Sequence, residues 1–284
     1  MARVRPDAIR RLLPALGING VPIAGVFLAG WDGATALSLY WWENLVGSLL
    51  IALRILVHRA LTRKRGHYRL QLSLEAHNAR GTPGTDGARP GSFLGEFLAA
   101  GLAATAVHGL ALWFVVRRLL GEGPEAEQLR QGVLAVGAFQ LLGLAIDLVG
   151  IRHRPFAWIR EIAEEGVRRV TLVHLVVIVG WWVSFKQGGL DGFFGPFAVL
   201  KALADVGSAL ALLGVRADGP EAPGWLAATM NRIAPKSRVD FAEHWRRLRA
   251  EERRLRERDE EPVPRAERPR GRRVRKRHPA GARD

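Results

Sequence analysis

The sequence predicts an all-α integral membrane protein: a bundle of six transmembrane helices with both termini in the cytoplasm, one interfacial helix and a basic C-terminal tail. Three observations predict it. Apolar residues make up 48% of the 284, yet they are gathered into six long blocks divided by charge-rich connectors. Each block is long enough, at about 1.5 Å per residue, to cross or nearly cross a hydrocarbon core of about 30 Å. Cations crowd alternate connectors: 36 of the 42 lysines and arginines fall on the side this topology assigns to the cytoplasm and four on the other, with Arg54 and Lys201 inside spans. That asymmetry is the positive-inside rule. The net charge of +15 therefore belongs to loops and tail, and nucleic acid is not the partner it implies. The absence of cysteine excludes disulfides, thiolate metal sites and a catalytic thiol.

The first span, about residues 12–31, follows a basic arm bearing Arg3, Arg5, Arg10 and Arg11. Such a start can also be a secretory signal, but further spans follow and no small-residue cleavage site ends the run. Pro14 and Pro22, with several glycines, predict a kinked or interrupted helix around Asn19 to Pro22. Trp31, Asp32 and Gly33 make a tight turn into the second span, 34–57. The segment 58–92 carries seven cations and ends in the turn-rich run GTPGTDGARPG, which predicts a flexible cytoplasmic loop. The third span, 93–116, is rich in small residues that permit close helix approach. A fourth runs over 132–151. The connector RHRPFAWIREIAEEGVRR places Trp158, Ile159 and Ile162 on one face, the pattern of an amphipathic helix lying on the cytoplasmic surface of the bilayer. Spans five and six cover 170–185 and 192–215.

The remaining segment divides in two. Residues 216–261 hold Phe241, Trp245, Leu248 and Leu255 at helical spacing among Glu-to-Arg neighbours, which predicts an amphipathic helix of about 20 residues beginning near Ser237 and Asp240. Residues 262–284 are dominated by arginine and should be disordered. Their simplest partner is anionic lipid headgroups at the membrane surface, since arginine tracts without interleaved aromatics read nucleic acid poorly.

Candidate chemistry lies in the ionisable residues inside spans, where a charge costs at least a few kcal/mol unless something meets it. Helical rise puts Glu43 and Lys201 about 3 Å to the outer side of the midplane and Asp205 about 3 Å to the inner side. Lys201 and Asp205 are also i, i+4 neighbours. The three sum to minus one, so a dry cluster needs a proton, a histidinium or a bound cation to balance it. This cluster, Glu43 with Lys201 and Asp205, is either an interhelical ion pair that fixes packing or a proton- or ion-coupled site. Asn44, His108, Asp147 and His174 are secondary candidates. His108 and His174 differ in depth by about 12 Å on the same arithmetic, which argues against one haem or metal between them, and no cofactor or metal is expected. No HExxH or GxSxG motif is present, and catalysis is not expected.

The stretches GVPIAGVFLAGWDGATALSLYWWENLVGSLLIALRIL, RRVTLVHLVVIVGWWVSF and AVLKALADV resemble an uncharacterised family of bacterial multi-pass membrane proteins, the domain of unknown function six-four-nine-eight. Matching positions are Gly25, Gly30, Trp31, Tyr40, Trp41, Glu43, Asn44, His174, Gly180, Lys201 and Asp205. The resemblance implies a bacterial inner-membrane location and carries no activity. The expected function is accordingly a structural or scaffold-like membrane component, with a small proton- or ion-coupled transporter or sensor as the alternative.

Overall fold

The computed structural model describes residues 6–70, 72, 91–114, 117, 123–170, 224, 228, 231, 232 and 241–263. These residues are helical, with no strand among them beyond a single isolated bridge between Lys64 and Pro262. The helices are α1 (Pro6–Ala29), α2 (Gly33–Thr62), α3 (Phe93–Phe114), α4 (Ala126–Leu148), α5 (156–170) and α6 (Phe241–Glu260). Three of them, α2, α3 and α4, are long and apolar enough to cross a membrane. The expected spans at 170–185 and 192–215 lie outside the described residues, apart from Val170, as does the tail beyond Val263.

Helix α1 runs through both of its prolines, so the interruption expected around Asn19 to Pro22 is absent. Packing on α4 accounts for it: Phe139 sits directly against Gly17, and Ile18 is buried in a cluster with Leu39 and Val136. Asn19 Nδ2 also donates to the Ala15 carbonyl at 2.9 Å within the same helix. Gly30, at φ +67°, turns the chain back in a conformation that favours glycine. The turn is fastened by the Trp31 N–H on the Gly25 carbonyl at 2.9 Å, with the Trp31 ring lying on Gly25 where a Cβ would collide. Asp32 then caps α2 by accepting from the Thr35 N–H.

Helix α2 is the centre of the bundle, touching α1, α3 and α4. On α3 the buried face is Phe93, Phe97, Gly101, Thr105, His108 and Leu112. The opposite face is just as apolar: Leu102, Val107, Leu110 and Trp113 are exposed, Leu110 at 70%. A helix in water turns polar residues outward; one whose outer face is as apolar as its inner face is built for lipid.

Helix α5 departs from the expectation of an element lying flat on the bilayer. It packs lengthwise on the bundle, antiparallel to α2, with Phe156, Ile159 and Ala163 essentially fully buried against Ala52, Ile55, Phe93 and Phe97. Gly166 then brings Ile51 onto its backbone. The stripe at 156, 159, 163, 166 and 170 repeats at three and four residues and faces protein, so the amphipathic pattern encodes a helix–helix seam.

The start of the segment expected as a flexible loop, up to residue 70, is structured. The helix continues to Thr62, Arg63 closes it in the left-handed conformation, and a short 3-10 turn follows at Arg65–Tyr68, with Gly66 and His67 buried. Residues 73–90 lie outside the described part. Helix α6, 20 residues long, matches the amphipathic helix expected in the segment before the tail, and its end packs on this turn.

Candidate functional site

Glu43 and Asn44 stand on the face of α2 that turns into the bundle, 2% and 4% exposed. The Glu43 carboxylate meets Arg169 at the far end of α5, with Oε1 3.6 Å from Nη1. Its backbone carbonyl accepts from Gln140 Nε2 of α4 at 2.8 Å. Gln140 Oε1 is buried with no hydrogen-bond partner, as are both side-chain polar atoms of Asn44. One position thus ties three helices: α2 through its own backbone, α4 through an amide and α5 through a guanidinium.

Further along α2, Arg54 Nε donates to Asp147 Oδ2 of α4 at 2.9 Å, each side chain 11% exposed. Between the two ion pairs lies a cavity of about 210 Å³ bounded by α1, α2, α4 and α5. Its walls are mainly aliphatic and aromatic, among them Ile18, Leu50, Phe139 and Ile162, with Gly47 and Gly143 leaving room where side chains would fill it. Polar groups enter from Arg54, Asp147, Gln140, Glu165 and Arg169. Glu165 is itself paired with Arg168 at 2.6 Å.

Of the residues singled out from sequence, Glu43, Asn44, His108 and Asp147 are described. Glu43 and Asn44 are adjacent, whereas Asp147 belongs to the separate pair with Arg54. His108 is buried on α3, beside the stretch where Trp41 Nε1 donates to the Thr105 carbonyl at 3.0 Å. Lys201, Asp205 and His174 lie outside the described residues. Sequence reasoning missed Arg169, Arg54 and Gln140. Arg54 and Asp147 share an approximate depth along their expected spans and carry opposite charges, a signal open to the same helical-rise arithmetic. Arg169 offers none, because the amphipathic pattern of α5 fits a helix lying flat on the bilayer as well as one packed on α2.

A second polar cluster sits at the end of α2. His58 and His67 are both fully buried, their Nδ1 and Nε2 atoms 2.8 Å apart. His58 Nε2 lies 3.0 Å from the Arg154 carbonyl, an acceptor only, so Nε2 of His58 carries the proton and its Nδ1 accepts from Nε2–H of His67. Burial, reinforced by the neighbouring His58, Arg59 and Lys64, pushes the His67 imidazole down to about 3. Lys64 Nζ, donating to the same Arg154 carbonyl at 3.1 Å, also pairs with Glu260 at 2.6 Å. Glu260 accepts from the Ala157 N–H at 3.0 Å. Burial alone would raise the Glu260 pKa; Lys64 and the N–H groups of Ala157 and Phe156 hold it below the ordinary glutamate value. Arg69 with Asp259 at 3.7 Å and Arg160 with Glu252 at 3.9 Å complete a clasp that fastens the end of α6 to the turn and to α5.

Among the described residues, three helices long and apolar enough to cross a membrane, with Glu43 and the Arg54–Asp147 pair turned inward, define a helical protein of the membrane class. The chain belongs to the family of unknown function DUF6498, whose model matches residues 1–252. No curated protein and no solved structure matches it.

Proposed function

We propose that the chain is a structural or scaffold-like component of the bacterial inner membrane, with six spans, cytoplasmic termini and a basic tail that holds anionic headgroups. The observation that carries this reading is that Glu43 and Asp147 each face an arginine on another helix. Charges kept inside an apolar bundle and matched across helices fix which helices pack and in what register. Lys201 and Asp205 remain part of the proposed cluster. With them alone Glu43 leaves one negative charge over; Arg169 supplies the missing positive charge, and the cluster then needs neither proton nor bound cation.

The alternative, a proton- or ion-coupled transporter or sensor, is favoured by the cavity between the two pairs. The two readings separate on water access to Glu43. Placing a cysteine at position 43 of this cysteine-free chain and treating membranes with a soluble maleimide leaves it unlabelled if the site is a dry structural pair. Rapid labelling under native conditions would support the transporter and end the structural reading.

A further inference from the structure

We propose that the cavity between α1, α2, α4 and α5 takes an uncharged aliphatic alcohol drawn from the bilayer: one hydroxyl on an apolar chain. The wall sets most of that chemistry. Ile18, Leu50, Phe139 and Ile162 line a space of about 210 Å³, and Gly47 and Gly143 leave room where side chains would fill it. Such a wall accommodates methylene groups. Next to the lining residues in the chain, Leu13 and Leu16 of α1 and Leu142 of α4 are exposed. The helices that bound the cavity therefore also meet the bilayer, and an apolar chain reaches the cavity from there.

The hydroxyl follows from Gln140, which stands in the cavity wall only 6% exposed. The Glu43 carbonyl can only accept, so the amide nitrogen faces it at 2.8 Å and Oε1 is the other end of the amide. Among the described residues that line the cavity, that oxygen is the one buried side-chain polar atom without a hydrogen-bond partner. A buried acceptor calls for a donor. The charged side chains of the wall are already engaged: Arg54 and Asp147 hold each other at 2.9 Å and both have further partners, Arg169 meets Glu43, and Glu165 meets Arg168. A charged donor such as an ammonium would lack a counter-ion in this apolar surround. An amide would bring a carbonyl and a second N–H that aliphatic walls do not meet. A hydroxyl supplies one donor and little else. The ion pairs enter only as occupied groups, so the inference goes beyond the structural reading and stands whether they fix packing or respond to ions.

The test uses the full chain reconstituted in phospholipid vesicles and photolabelled with a diazirine-bearing octanol, the adducts being mapped by mass spectrometry. Labelling should saturate and concentrate on cavity residues such as Leu50 and Ile162, not on Leu110 and Trp113 of the exposed face of α3. Octanol, octane and octanoate then compete with the label at equal concentrations in the membrane. Octanol should displace it at least about ten-fold better than octane, which offers no donor to Gln140 Oε1, and better than octanoate, which brings a charge. Gly143→Ala, whose added Cβ would meet Pro14 and Arg54 at ordinary contact distances of 3.5 Å and beyond, keeps the fold and should reduce labelling several-fold by narrowing the cavity. Gln140→Leu, read beside it, should remove the advantage of octanol over octane. Octane or octanoate competing as well as octanol overturns the proposal, as does labelling that never saturates or that follows lipid exposure.

Discussion

Arg169 of α5 reaches Glu43 of α2, Nη1 to Oε1 at 3.6 Å, and the glutamate side chain is only 1% exposed. The contact joins residues far apart in sequence, and it exists because α5 runs lengthwise beside α2, carrying an arginine from the charged end of a connector to the interior of an apolar bundle. The same helix pairing sets the His58 end, where Arg154 accepts from the imidazole. The two ends of α5 therefore fix its register on α2 by polar contacts, while Phe156, Ile159 and Ala163 supply the burial between them.

The Arg54 and Asp147 pair should behave as a unit. Arg54→Met alone or Asp147→Leu alone removes one side of a largely buried ion pair and should cost about 3 to 5 kcal/mol in detergent unfolding. The double variant should recover most of that loss. Additive losses would mean that the 2.9 Å contact does not couple the two residues.

His67 makes the fold acid-sensitive in a defined window. Its folded imidazole stays neutral down to about 3, whereas the unfolded chain takes up a proton near 6.5. Stability from this group is thus complete above about 6.5 and falls with decreasing pH, by about 2 kcal/mol between 6.5 and 5. Glu260 acts lower: its depressed pKa adds stability that is retained above about 4.5 and lost as pH falls toward the folded value. Chemical denaturation from pH 7.5 to 5 should therefore show a slope that His67→Leu flattens, even though the variant is less stable at the upper end. A slope unchanged by the substitution would assign the acid sensitivity elsewhere.

The end of α6 is held by charge. Glu260→Gln removes the partner of Lys64 and weakens the acceptor for Ala157 N–H. The loss in overall stability should be modest, about 1 kcal/mol, because the pair is partly exposed. The local effect is larger: trypsin cleavage within the arginine-rich α6 should quicken several-fold in Glu260→Gln while cleavage elsewhere is unchanged. Equal protection in parent and variant would show that α6 is fastened by other contacts.

What was legible in the sequence followed solvent. Apolar length revealed α2, α3 and α4, the turn expected at Trp31, Asp32 and Gly33 revealed where the first two helices reverse, and helical spacing with Glu-to-Arg pairs revealed α6. The burial of Glu43 followed from its cost in lipid. What was not legible depended on which element faces which. An amphipathic stripe looks the same whether it meets a bilayer surface or another helix, so the pattern alone does not place α5 along α2 or Arg169 beside Glu43. Pro14 and Pro22 predict a kinked or interrupted α1, and the helix runs through both without interruption, with Gly17 and Ile18 packed on α4. The segment after α2 reads as a flexible loop from its seven cations and its turn-rich run, and the partners of Lys64, Arg65 and Arg69 are not nearby in sequence. Those partners, Asp259, Glu260 and Glu261, lie almost two hundred residues later, at the end of α6.

The most direct test of the account is a double-mutant cycle on Glu43 and Arg169, read as unfolding free energy in detergent for Glu43→Gln, Arg169→Met, both together and the parent. A structural pair predicts that each single change costs about 3 to 5 kcal/mol and that the double variant regains most of it. If Glu43→Gln is neutral or more stable than the parent, the carboxylate is held at the expense of stability, as at functional sites, and the structural account is wrong.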